Sequence, residues 1–201
     1  MPLRIAIFVF PDVEVLDFAG PYEVFTTANR VARRLSGDVV PFEVLTVSEC
    51  TPQIRARAGL HVLADAQFDQ HGAIDVLVVP GGVVDAELKK PSVRDWIIRT
   101  DAQTQLTASI CTGAFLLAAA DLLHGRQVTT HWEDVPDLRR AYPTLTVQTG
   151  VRWVDQGKYV TSAGISAGID MSLHLVQRLG GAALAEATAR QLEFDWTRNP
   201  V

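Results

Sequence analysis

The residues with the most chemical capacity in this chain are Cys111, Asp17, His131 and the glycines of Pro80-Gly81-Gly82. Cys111 stands in Leu106-Thr107-Ala108-Ser109-Ile110-Cys111-Thr112-Gly113-Ala114-Phe115-Leu116-Leu117, where a short apolar stretch of strand character meets a helix rich in Ala and Leu. A thiol at that join projects from a sheet edge, toward the free amides and positive dipole end of the helix behind it. Both effects favour thiolate, the nucleophilic form. The amides of Thr112 and Gly113 then offer donors to negative charge developing beside the sulfur. The competing role for a free cysteine is a small hydrophobe filling the core. Cys50, followed by Thr51-Pro52, reads as an incidental loop thiol.

Asp17 lies between Val13-Glu14-Val15-Leu16 and Phe18-Ala19-Gly20-Pro21, a carboxylate in apolar company. As a helix N-cap it would stabilise by about 1 kcal/mol. Facing a crevice instead, apolar burial and a nearby thiolate would raise its pKa. It could then hold a proton as general acid or orient a water as base. Asp12 and Glu14 read as solvated loop charges, and Glu23 as a weaker alternative acid. The glycines after Pro80 let a backbone amide approach a substrate closely, which suits an oxyanion-type donor opposite Thr112. No phosphate-binding fingerprint surrounds them. His131, in Thr129-Thr130-His131-Trp132-Glu133, is either a base for Cys111 oriented by Glu133 or a hydrogen-bonded wall of the pocket.

The elements that must position these groups follow from the hydrophobic pattern. Residues 4–10 and 74–79 are nearly continuous apolar runs, as expected for strands buried on both faces. Residues 42–47 and the stretch before Cys111 are further strands, and residues 55–63 are extended structure interrupted at Ala58-Gly59. Helical character covers residues 16–32. Pro91 divides a second helical stretch, with Ser92 as the expected cap of its later part. A helix after Cys111 should run to about Leu123, closed by Gly125, before a short strand at 127–131. Residues 151–161 read as a hairpin around Gln156-Gly157, and helices at 166–179 and 182–196 finish the chain. Alternating strands and helices predict an α/β three-layer sandwich with a mostly parallel central sheet, one domain over residues 1–201. Ligands bind beyond the carboxyl ends of such strands. That rule gathers the loop 11–21, the loop 80–85 and the Cys111 turn at one edge, with the loop after His131 nearby.

Composition bounds the partners. The chain has 201 residues, 48% hydrophobic and 20% charged, with a net charge of −5 and no basic stripe, so nucleic acid is not an expected partner. No apolar run has transmembrane length, and the N-terminal run lacks a small-residue cleavage site before Pro11-Asp12. Two cysteines without metal spacing point to no metal and a reduced, cytoplasmic compartment.

Five motifs in order resemble the ThiJ/PfpI superfamily, cysteine-elbow relatives of class I glutamine amidotransferases, and within it an isonitrile hydratase-like branch. They are Phe10-Pro11-Asp12 with Leu16-Asp17 and Gly20-Pro21; Val79-Pro80-Gly81-Gly82; Ile110-Cys111-Thr112-Gly113; Thr129-Thr130-His131-Trp132; and Ala163-Gly164-Ile165-Ser166-Ala167-Gly168-Ile169-Asp170. The resemblance covers essentially the whole chain and implies a flavodoxin-like, glutamine amidotransferase-like fold. It implies Cys111 as nucleophile, Asp17 as the acid contacting it, and Thr112 as an amide donor whose hydroxyl holds a water. It further implies Gly82 as the opposing amide donor, no cofactor, and a homodimer with the crevice close to the subunit interface. Thr112 replaces the histidine that follows the cysteine in protease-like members, which disfavours a Cys-His peptidase dyad. The implied reaction is hydration of an isonitrile to an N-substituted formamide through a Cys thioimidate. Alternatives are an amidase, a glyoxalase or deglycase, and a ligand or redox sensor. The branch also includes sensing halves of AraC-type regulators, in which a helix-turn-helix segment comes after the sensing half. With the sequence ending at Val201, a free-standing enzyme is the expectation.

Overall fold

The computed structural model describes residues 1–37 and 39–198. Its strands are β1 (Leu3–Phe8), β2 (Phe42–Ser48), β3 (Gln53–Arg55), β4 (His61–Leu63), β5 (Ala66–Gln67), β6 (Val76–Val79), β7 (Leu106–Ile110), β8 (Gln127–Val128), β9 (Thr146–Val147), β10 (Trp153–Gln156) and β11 (Tyr159–Ser162). Its helices are α1 (Val15–Ser36), α2 (Pro91–Asp101), α3 (Gly113–Ala119), α4 (Val135–Ala141), α5 (Ala167–Gly180) and α6 (Ala182–Gln191). Seven strands form the central sheet in the order β10-β11-β7-β6-β1-β2-β5, and every pairing is parallel except β10 with β11.

The apolar runs become the middle of this sheet. Ile5 to Phe8 and Val76 to Val79 have no solvent exposure, which is why neither run alternates with polar residues. From β1 the chain crosses through α1 to β2 on one side, and from β6 it crosses through α2 to β7 on the other. Right-handed crossovers in opposite directions put their helices on opposite faces. α1 packs with α5 and α6, and α2 packs with α3, completing an α/β sandwich of three layers with a flavodoxin-like arrangement. The strand order reverses between β1 and β6, so a crevice is expected above that seam.

Several elements differ from the sequence expectation, each for a local reason. Ser92 does not cap α2: Lys90 holds the cap position, Pro91 fills the first helical turn, and the Ser92 hydroxyl donates to Glu49. α3 stops at Ala119 and short turns lead on to Gly125. β8 ends at Val128 and pairs with β9 outside the central sheet. Beyond it side chains replace the ladder: the Thr129 N–H donates to Thr161 Oγ1 at 2.9 Å, and the Thr130 hydroxyl donates to the Cys111 carbonyl at 2.8 Å. α6 ends at Gln191 because Asp170 draws the next stretch of chain away, accepting from Trp196 Nε1 at its carbonyl and from the Thr197 N–H at Oδ1. No helix among the described residues is long and apolar enough to cross a membrane.

Candidate active site

Three loops meet above the β1–β6 seam, and backbone bonds staple the loops after β1 and β6 to each other. The Glu14 N–H donates to the Gly81 carbonyl at 2.9 Å and the Val83 N–H to the Asp12 carbonyl at 3.1 Å. A Cβ on Gly82, at φ 136°, would stand 2.4 Å from the Asp12 carbonyl oxygen. One on Gly81 would stand 2.6 Å from both the Thr112 amide nitrogen and its hydroxyl, and 2.9 Å from the Cys111 Cβ. Only glycine lets the loop after β6 lie so close to both neighbours.

Cys111 occupies the turn between β7 and α3 with φ 55°, a left-handed conformation that costs a non-glycine residue free energy. The surroundings hold it there: its N–H donates to the Ser162 carbonyl at 3.2 Å, and its carbonyl accepts from Thr130. Asp12 and Ile165, in loops meeting the same crevice, are also left-handed.

The expectation that the dipole would lower the thiol pKa is corrected. Cys111 is 7% exposed, and burial, followed by the nearby Asp17 carboxylate, pushes its pKa up to about 12. The Thr112 amide and hydroxyl act in the opposite direction but do not prevail. A helix terminus contributes about 0.3–1 kcal/mol, less than one pKa unit. Desolvation in an apolar setting reaches several units.

Asp17 is not the N-cap of α1. Glu14 takes that position, and Asp17 points inward from the first turn with no solvent exposure. Burial pushes its carboxyl up to about 7, against a hydrogen bond from the Gly81 N–H to Oδ2 at 3.1 Å. The Cys111 thiol lies close enough to favour the ionised carboxylate as a side-chain donor, although Oδ1 has no hydrogen-bond partner of good geometry. Cys111 and Asp17 therefore form a coupled pair at the floor of the crevice.

Thr112 and Gly82 pair with each other. The Thr112 hydroxyl donates to the Gly82 carbonyl and accepts from the Gly82 N–H, both at 2.9 Å. Gly82 is therefore not a free amide donor facing a substrate, and the Thr112 hydroxyl proton is already engaged. The Thr112 amide instead serves the sulfur, as one of the groups that lower the thiol pKa.

The crevice holds about 260 Å³. Cys111, Thr112, Gly82 and His131 all line it. His131 Nδ1 sits 3.3 Å from Asp134 Oδ2 and 3.7 Å from Glu133 Oε2, and accepts from the Glu133 N–H at 3.4 Å. It stands in the wall, and it makes no hydrogen bond to Cys111. Among the described residues, no group of three or more His, Cys, Asp or Glu side chains could hold a metal ion.

The model of the DJ-1/PfpI family matches residues 3–178. The chain belongs to the DJ-1/PfpI family. Isonitrile hydratase of Pseudomonas putida is 35% identical over 197 residues, spanning 96% of this chain and 79% of that protein. The HTH-type transcriptional regulator GbdR of Pseudomonas aeruginosa is 31% identical over 173 residues, 85% of this chain but 46% of the regulator. A THiJ/PfpI family protein from Pseudomonas syringae superposes with a TM-score of 0.84 at 26% identity, covering 98% of this chain and 77% of that one.

In this DJ-1/PfpI chain, sequence reasoning missed three residues of the crevice. Glu14 is not a free loop charge: it is largely buried and pairs with Arg57 at 3.1 Å. Arg57 arrives because the excursion between β3 and β4 docks on the loop after β1, with the Asp12 N–H donating to the Arg55 carbonyl and the Arg57 N–H to the Val13 carbonyl. The kink read at Ala58-Gly59 was its only trace, visible now as φ 59° at Ala58. Asp134 was passed over in favour of Glu133, although i,i+3 spacing on a 3₁₀ turn brings Asp134 closer to His131.

Proposed function

We propose that this protein adds water to an isonitrile to give an N-substituted formamide, with Cys111 as nucleophile and Asp17 as its acid–base partner. The observation that carries the proposal is the buried Cys111–Asp17 pair, whose carboxyl is held near 7 and thiol near 12. The likeness to an isonitrile hydratase at 35% identity supports the substrate.

Above about pH 7 such a pair holds one proton between two bases, and its titration belongs to the pair. Thiolate is too scarce to attack by itself, so the S–H bond breaks as the S–C bond forms. Asp17 takes the thiol proton and delivers it to the isonitrile carbon, leaving an S-linked thioimidate, R–N=CH–S–Cys, and an ionised carboxylate. Asp17 next removes a proton from water as its oxygen adds to that carbon, and passes that same proton to the imine nitrogen. Collapse of the adduct breaks the C–S bond, the hydroxyl proton passes through Asp17 to the sulfur, and R–NH–CHO leaves. One difficult addition becomes two easier ones. The Thr112 amide stabilises negative charge on sulfur in both steps. His131 contacts the substrate as part of the wall. No cofactor enters this scheme.

We further propose that the protein acts as a homodimer in a reducing, cytoplasmic setting, consistent with two unpaired cysteines. The groove lined by Leu16, Ile169, Leu192 and Phe194 is the apolar face a second copy would cover, and sedimentation as a monomer at micromolar concentration would reject this.

The test is an ultraviolet assay with a simple aryl isonitrile on wild type and Cys111→Ala side by side. Wild type is expected to form the formamide and the variant to form none; equal turnover by both would reject Cys111 as nucleophile. A second reading, attack on an amide or glyoxal carbonyl, is favoured by the polar lining of the crevice. Turnover of methylglyoxal but of no isonitrile would establish it. Redox sensing is disfavoured by the same pKa near 12, since oxidation needs thiolate.

A further inference from the structure

We propose that the crevice selects isonitriles whose substituent carries a positive charge and turns away those carrying a carboxylate. This rests on the hydratase proposal for the reaction, and the charge around the crevice supplies the substrate class. Four carboxylates line it, from Glu14, Asp85, Glu133 and Asp134, against Arg57 and His131. Arg57 is taken up by Glu14 at 3.1 Å. His131 turns Nδ1 toward Asp134 and Glu133, which outnumber it two to one. Asp85 has no ion pair among the described residues.

The negative excess lies over the reacting thiol. Beneath the crevice, fully buried Asp17 carries Oδ1 without a partner of its own, beside the Cys111 thiol that lines the cavity. Asp134 also acts on the thiol across the cavity, as one of the charges that raise the Cys111 pKa. A cleft with low-dielectric walls focuses such a field on whatever enters it. No Phe, Tyr or Trp side chain among the described residues lines the cavity, and the one ring in its wall is the His131 imidazole. An isonitrile with its carbon at Cys111 places its substituent in a crevice where carboxylates outnumber the cationic side chains. A quaternary ammonium or protonated amine at that end is attracted, and a carboxylate is repelled.

The experiment has two arms. In the first, kcat/KM is measured for 3-(trimethylammonio)propyl isonitrile, its uncharged tert-butyl isostere and 4-isocyanobutanoate. The cationic substrate is expected to exceed the anionic one by about tenfold or more at low salt, with the ratio shrinking as ionic strength rises. The ratio is also expected to fall in Asp85→Asn/Glu133→Gln. In the second, Cys111 in Cys50→Ser protein is modified with 2-(trimethylammonio)ethyl methanethiosulfonate or with its sulfonatoethyl counterpart, each rate normalised to free cysteine. The cationic reagent is expected to react faster. This arm needs no turnover, so it separates the two proposals. Equal or reversed preference in it overturns the inference about charge. A cationic preference there, with no isonitrile hydrated, upholds the charge selection and overturns the hydratase reaction.

Discussion

Asp17→Asn is expected to reduce turnover severely and, at the same time, to stabilise the fold. In the folded protein the carboxyl titrates near 7, against 3.8 for an unperturbed group. Below about pH 4 it is protonated in both folded and unfolded chains, and it has no effect on their balance. Between about 4 and 7 the folded state holds a proton that the unfolded state has released, so stability falls as pH rises; above 7 the loss is complete. At 1.36 kcal/mol per unit, the full loss has a ceiling of about 4 kcal/mol. The residue has no solvent exposure, so screening removes little of it. Asparagine keeps the shape and can accept from the Gly81 N–H, but its amide must face the thiol, a weak acceptor, at a cost of about 1–3 kcal/mol. The net gain is about 1–3 kcal/mol at pH 8, roughly 3–10 °C in Tm for a chain of this size. The gain over wild type should contract by up to about 3 kcal/mol between pH 8 and pH 4.5. Urea unfolding of both proteins at the two pH values measures this, alongside a loss of turnover of about 10²–10⁴-fold. A variant no more stable than wild type at pH 8, or a gap independent of pH, would refute the account of Asp17 as a buried and costly carboxyl.

The remaining expectations concern the same floor. For wild type, kcat/KM should rise about tenfold per pH unit up to near 7 and then level, because the doubly protonated pair lacks a base; a rate that falls from pH 5 to 8 would show that another group controls the reaction. Gly81→Ala forces the loop after β6 away from the Thr112 amide and Cys111. It should lower kcat/KM by about 10²-fold or more while costing about 1–3 kcal/mol of stability, and near-wild-type kinetics would mean that this close approach is not needed.

What the sequence made legible was local, and what it hid was either long-range or a contest of magnitudes. The apolar run ending at Ile110 and the Ala- and Leu-rich run after it located the Cys111 turn, since both periods change within three residues. Alternation of strands and helices was enough to gather the loops after residues 10 and 79 with the Cys111 turn at one edge. The seam between β1 and β6 is visible only in the strand order of the structure. The direction of Asp17 did not, because helix positions at the cap and in the first turn share the same sequence neighbours and differ only in which side chain faces inward. Arg57 was invisible for another reason: it reaches Glu14 from 43 residues away, through backbone bonds that any sequence could make. The thiol pKa was a question of size. The dipole of α3, seven residues long, was weighed without the burial that the same turn imposes. The outcome bears directly on the chemistry. A thiol held as S–H against a carboxyl near 7 is poorly reactive toward oxidants. In the proposed reaction it becomes a nucleophile when a substrate carbon accepts the proton as sulfur adds, an arrangement suited to the isonitrile carbon, which takes up both.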